Sequence, residues 1–148
     1  MRIALGADHA GYELKSILLS TLREWGHEVI DLGTTNASDS VDYPDFGSAV
    51  GHHVARGDAD LGVAVCGSGV GISIAANKVP GVRAALVHDA TSARLAREHN
   101  HANVLCMGAR LIGPPVAQDA LAAWLGAQPG DGRHLARIDK LRQLDQRA

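Results

Sequence analysis

At 148 residues, with 46% hydrophobic and 20% charged side chains, the chain has the size and balance of one compact soluble domain and lacks the length for a second core. A formal charge of -2 excludes an overall basic field for nucleic acid or an anionic membrane, so any anionic ligand must be met by locally gathered cations. Met1 to Gly6 runs directly into a strand-like segment without a charged n-region and apolar h-region, and nowhere do about eighteen apolar residues run together, so a cytoplasmic protein is expected.

Arg2 to Leu5 reads as the first strand. Leu14, Ile17, Leu18, Leu22 and Trp25 then recur at helical spacing, with Gly26 as a stop. Glu28 to Leu32 is the second strand, and Pro44 suits the first turn of a second helix. Leu61 to Cys66, Arg83 to Val87 and Val104 to Met107 complete the strands; Gly71 to Lys78, Thr91 to His99 and Pro115 to Leu125, closed by Gly126, complete the helices. The alternation predicts a five-stranded parallel sheet with helices on both faces, a three-layer α/β sandwich. A loop with Pro129, Gly130 and Gly132 leads to a last helix, Arg133 to Gln146. Residues 1–148 thus form one domain, and the tail 130–148, with no strand to follow, is expected to pack on another subunit.

Ligands of open parallel sheets bind beyond the carboxyl ends of the strands. Asp8 and His9 follow the first strand, Cys66 to Gly71 the third, His88 and Asp89 the fourth, and Arg110 the fifth. The loop Gly67-Ser68-Gly69-Val70-Gly71 leaves backbone N–H groups able to approach an anion at a helix N-terminus, or it is simply a tight turn that needs glycine. It is neither a dinucleotide fingerprint, since Ile72 stands where the third glycine would fall, nor a P-loop. Cys66 precedes that helix, whose dipole favours negative charge on sulfur, which suits a base or nucleophile; a buried apolar filler is the alternative. Cys106, mid-strand, has only the filler reading, and both cysteines are expected to be free thiols. Asp8 can meet a ligand or cap the first helix. His99 ends the fourth helix, where the dipole favours an imidazolium suited to general-acid work, and Asn100 can be the left-handed stop. Arg133 and Arg137, four apart on one helical face, can clamp a phosphate or form a solvated face. His99 and His101 have no carboxylate or thiol at metal-ligand spacing, so no metal is expected.

Together, Gly6-Ala7-Asp8-His9-Ala10-Gly11, Asp42-Tyr43-Pro44, the stretch from Cys66 to Lys78 (CGSGVGISIAANK), Glu98-His99-Asn100 and Gly132-Arg133-His134 with Arg137 resemble ribose-5-phosphate isomerase type B, in the family that also holds galactose-6-phosphate isomerase subunits. The resemblance covers nearly the whole chain. It implies a Rossmann-like fold, a homodimer or dimer of dimers, a small phosphosugar substrate, no cofactor, and isomerisation of aldose and ketose through an enediolate. By motif it makes Cys66 the base between C1 and C2 and His99 the ring-opening acid. Gly67 to Gly71, with the Ser68 hydroxyl, would hold the enediolate oxygen. Asp8, Tyr43 and Asn100 would meet sugar hydroxyls, and His9, Arg110, Arg133 and Arg137 the phosphate. Some relatives use a glutamate on the helix after the glycine loop, where this chain has Ile72. An isomerase of a hexose or tetrose phosphate, a cysteine-nucleophile hydrolase or phosphotransferase, and a non-catalytic phosphosugar-binding regulator would share much of this pattern.

Overall fold

The computed structural model describes residues 1–146; the last two residues of the tail assigned above to a partner interface, Arg147 and Ala148, lie outside them. Strands β1 (Arg2–Ala7), β2 (Glu28–Asp31), β3 (Leu61–Cys66), β4 (Ala84–Leu86) and β5 (Val104–Gly108) alternate with helices α1 (Tyr12–Glu24), α2 (Tyr43–Ala55), α3 (Val70–Asn77), α4 (Ala90–Asn100) and α5 (Pro114–Gly126), and α6 (Arg133–Asp145) follows. All strand pairs are parallel, in the order β2-β1-β3-β5-β4. The expected three-layer α/β sandwich is thus what the chain adopts.

The two helical layers follow from the direction of each crossover. From β1 to β2 and from β4 to β5 the chain steps one way across the sheet, and α1 and α4 lie on one face with α5; from β2 to β3 and β3 to β4 it steps the other way, with α2 and α3 on the opposite face. Right-handed crossovers require this sorting. Side chains alternate accordingly along β3. Val63 and Val65 join Leu18, Leu22, Leu121 and Trp124 in one core, whereas Ala64 and Cys66 join Val50, Ile72 and Ala76 in the other. Trp124 is fully buried, and its indole N–H donates to the Ala102 carbonyl at 3.2 Å.

Three local expectations need correction. Strand β4 is shorter than the Arg83–Val87 run, because the Arg83 N–H is taken by the Asn103 side chain at 2.7 Å instead of a ladder carbonyl. Gly126 is the last residue of α5 and not its stop; the chain leaves in extended conformation at Ala127. The left-handed residue after α4 is His101 (φ 49°), not Asn100, and the His101 ring nitrogen Nε2 meets the Gly130 carbonyl, tying α4 to the segment that leads into α6. Helix α6 buries Ile138 against its own chain and leaves Leu135, Leu141 and Leu144 exposed.

Candidate active site

A cleft of about 370 Å³ opens at the carboxyl ends of β1 and β3, the neighbours between which strand order reverses. Asp8, His9, Tyr43, Cys66, Gly67, Ser68, Gly71 and Arg110 line it. Cys66 lies on its floor at 4% exposure. The Gly69 N–H donates to Cys66 Sγ at 3.1 Å, a bond available because Gly69 takes φ 78°. Any Cβ at Gly69 would stand 2.5 Å from a Leu86 methyl carbon, so the turn admits only glycine on conformational and steric grounds together. A Cβ at Gly71 would strike the Tyr43 ring at 2.6 Å; its absence brings the phenol to the mouth of the loop.

The N–H groups of the glycine loop divide into two sets. Gly69 serves the sulfur and Val70 donates to Ser68 Oγ at 3.2 Å. Those of Gly67, Ser68 and Gly71 meet no acceptor among the described residues, so they are the donors left for an oxyanion. Arg110 is exposed, its side chain lies over Gly67, and among the described residues its guanidinium has no carboxylate within ion-pair distance. Asp8 turns out to do structural work as well: its carboxylate accepts the Gly11 N–H at 3.0 Å on entry to α1. His9 Nδ1 accepts the Val41 N–H at 3.1 Å, which places the proton of a neutral ring on Nε2.

Cys66 and Cys106 differ sharply although both face the α2–α3 layer. Cys106 is wholly enclosed, and burial pushes its thiol pKa far upward. Only Cys66 reaches a cleft.

His99, Asn100, Arg133 and Arg137 are not in that cleft within one chain. Helix α4 returns toward the amino ends of the strands, where Asn103 joins Arg83 and Gly62, whereas Cys66 pairs with Gly108 at the far end of β5. That length of strand spans about 17 Å. His99 instead borders a second, more open cavity of about 800 Å³ with Arg94, Glu98, Asp131 and His134. The His99 and His134 rings stack at 4.6 Å between centroids and 9° between planes. Desolvation, reinforced by His99, Arg133, Arg137 and His101, holds His134 below the usual histidine pKa. Arg133 and Arg137 are exposed and, among the described residues, have no acidic partner. His134 belongs to the Gly132-Arg133-His134 motif with no role implied for it; its spacing from Arg133 and Arg137 on α6 carries no sign of the stack, which depends on how α6 meets α4.

The fold and cleft define a Rossmann-like α/β protein whose cleft sets a thiol beside unpaired loop N–H groups and a guanidinium. The family described as Ribose/Galactose Isomerase matches residues 3–141. The chain is 47% identical over 146 residues to ribose-5-phosphate isomerase B of Escherichia coli (strain K12), covering 99% of this chain and 97% of that one. A solved structure of ribose-5-phosphate isomerase B from Clostridium thermocellum superposes with a TM-score of 0.97 at 47% identity, over 99% of each chain. One from Mycoplasma genitalium, solved with bound ribulose-5-phosphate, gives 0.94 at 40% identity, over 99% of this chain and 97% of that one. The chain belongs to the ribose/galactose isomerase family and is a sugar-phosphate isomerase. Among the described residues, no helix is long and apolar enough to cross a membrane.

Proposed function

We propose that this chain interconverts ribose 5-phosphate and ribulose 5-phosphate in the cytoplasm, without metal or nucleotide cofactor. The observation that carries the proposal is the Cys66 sulfur on the floor of a cleft whose rim combines three uncommitted loop N–H groups with the Arg110 cation. Cys66 removes the proton from C2 of the open-chain aldose as the C1 carbonyl becomes an enediolate oxygen. The N–H groups of Gly67, Ser68 and Gly71 stabilise that charge; a proton passes from O2 to O1 and Cys66 returns its proton to C1, giving the 2-ketose. Gly69, committed to the sulfur, stabilises negative charge there. Asp8 and Tyr43 meet sugar hydroxyls, and His9 and Arg110 face the phosphate.

His99 and Asn100, with Arg133 and Arg137, complete the site from a second copy of the chain. His99 opens the sugar ring as a general acid, and the two arginines take the phosphate. A two-fold dimer sets the carboxyl-end cleft of one subunit against the His99 end of the other and makes two shared sites. The exposed Leu135, Leu141 and Leu144 of α6 fit burial in such an assembly, with the tail 130–148 of the one domain 1–148 against its partner.

The family's description covers both ribose and galactose, so sugar length is the finer question. A panel of tetrose, pentose and hexose aldose phosphates, assayed for ketose with chelator present, decides it. Ribose 5-phosphate should have the highest kcat/KM; a higher value for a hexose or tetrose phosphate moves the substrate, and loss of activity with chelator overturns the metal-free reading. Phosphate release with a trapped thiol adduct would instead indicate a hydrolase.

A further inference from the structure

We propose that Lys15 is a positioning residue for the cleft, holding the segment 32–42 where it meets His9 and delivers Tyr43; this rests on the reading of the cleft as the substrate site. Lys15 is a helix residue at only 2% exposure. A buried ammonium is unfavourable unless it is paired and hydrogen-bonded, and an apolar side chain would fill that space without the penalty. Its Nζ donates to Asp31 Oδ1 at 2.6 Å and to the Thr34 carbonyl at 2.8 Å, and stands 5.5 Å from the centre of the Tyr12 ring. The same Asp31 oxygen accepts the Gly33 N–H at 3.0 Å. Lys15 and Asp31 therefore grip the chain just as it leaves β2.

Apart from this grip, the start of the segment is held by its backbone alone: the Leu32 N–H donates to the Leu5 carbonyl at 2.9 Å and the Gly33 carbonyl accepts the Ala7 N–H at 2.8 Å. Thr34 is the one buried residue of the segment 32–42. Its N–H donates to the Ala7 carbonyl at 2.7 Å, immediately before Asp8 and His9. Beyond it, Asn36 Oδ1 accepts the N–H groups of Ser38 and Asp39, a local turn on the surface. The segment then comes back over the cleft, where Val41 donates to His9 Nδ1 and Tyr43 opens α2. With one end pinned by Lys15 and the other resting on a site histidine, a shift at Thr34 is felt at His9 and Tyr43. Lys15 acts through these residues and touches no part of the cleft lining itself.

The test uses the full chain carrying Lys15→Met, which keeps the length and apolar stem but neither hydrogen bond. The first readout needs no substrate: the imidazole nitrogen spectrum of His9, assigned by its loss in His9→Asn. In the wild type His9 should show the Nε2–H tautomer, and in Lys15→Met a mixture of tautomers. The second is a split of kinetic constants, with KM raised about tenfold, kcat within about twofold, and the alkylation rate of Cys66 unchanged, as expected for lost binding alignment. Asp31→Ala, made from the exposed side, removes the counter-ion and the Gly33 acceptor and should show the same changes more weakly. A folded Lys15→Met chain with wild-type His9 signals and KM, altered only in melting temperature, overturns the proposal; should that variant not fold, the same result in Asp31→Ala does so. If the wild type isomerises no phosphosugar, the reading of the cleft falls, and the substrate-free His9 spectrum still decides whether Lys15 holds the segment.

Discussion

The two ends of the sheet are built on opposite principles. At the carboxyl end, Cys66 is buried, its sulfur already holds a hydrogen bond from Gly69, and a Cβ at Gly69 or Gly71 of the loop around it would clash at 2.5 or 2.6 Å. At the amino end, Arg133 and Arg137 stand exposed without acidic partners among the described residues, and the His99–His134 stack faces an open cavity. A centre that stabilises developing charge gains from being preorganised in one chain, whereas unpaired surface cations stay open to a ligand or a second surface, as in the shared site proposed above.

The sharpest break of this comparison is at the two cysteines. Cys66→Ala should lower kcat by about a hundredfold or more with KM little changed, as for a lost general base. Cys106→Ala, enclosed on the same face, should leave kcat near wild type and be felt in stability alone. Equal losses in the two variants, or none in either, would remove Cys66 from the mechanism.

Complementation tests the pairing of the two ends. Chains carrying Cys66→Ala, co-refolded with chains carrying His99→Ala, should form mixed dimers in which one site holds both native groups and the other holds neither. Activity should rise well above either parent refolded alone, toward about half of wild type per mixed dimer. Verified heterodimers that recover nothing would mean that the ends do not share a site across subunits.

The exposed cations should show a smaller effect, confined to phosphorylated ligands. Arg133→Ala or Arg137→Ala should weaken binding of the phosphosugar by about 1.5 kcal/mol, or tenfold, the scale of a charge-assisted hydrogen bond lost. Binding of the unphosphorylated sugar should hardly move, and an equal loss for both sugars would deny the arginines a phosphate.

How far each end was legible in the sequence follows from the same contrast. The carboxyl end was largely visible, because Asp8 directly follows an apolar strand, Cys66 ends one, Arg110 stands two residues beyond another, and the glycine loop has its own local grammar. The helix and strand periods likewise yielded the sandwich. Strand order did not emerge, since β4 lies beyond β5 through pairings that no local pattern encodes. Lys15 reads as an unremarkable polar position between Leu14 and Leu18; its burial comes from Asp31 and Thr34, brought over it by the chain after β2. His134 is invisible for the same reason. Residues whose role depends on a contact between separate elements carry no signature in their own neighbourhood.

The smallest expected effect lies at that stack and concerns pH. His134 is held below the ordinary histidine pKa by desolvation first, then by His99 and His101 from α4 and Arg133 and Arg137 from α6. A histidine whose folded value is depressed binds fewer protons folded than unfolded in the window just below the ordinary value of about 6.5. Its neutral form therefore contributes stability that is fully present above that value and is lost as pH falls through the depressed one. Charging His134 would set an imidazolium against a stacked neighbour and two guanidinium groups. His134→Gln removes the titration and keeps a polar side chain. The melting temperature of the wild type minus that of the variant should increase as pH rises from about 5 to about 7, and level off above it. A difference that is flat, or that falls with pH, would show that the stacked ring does not feel the cations around it.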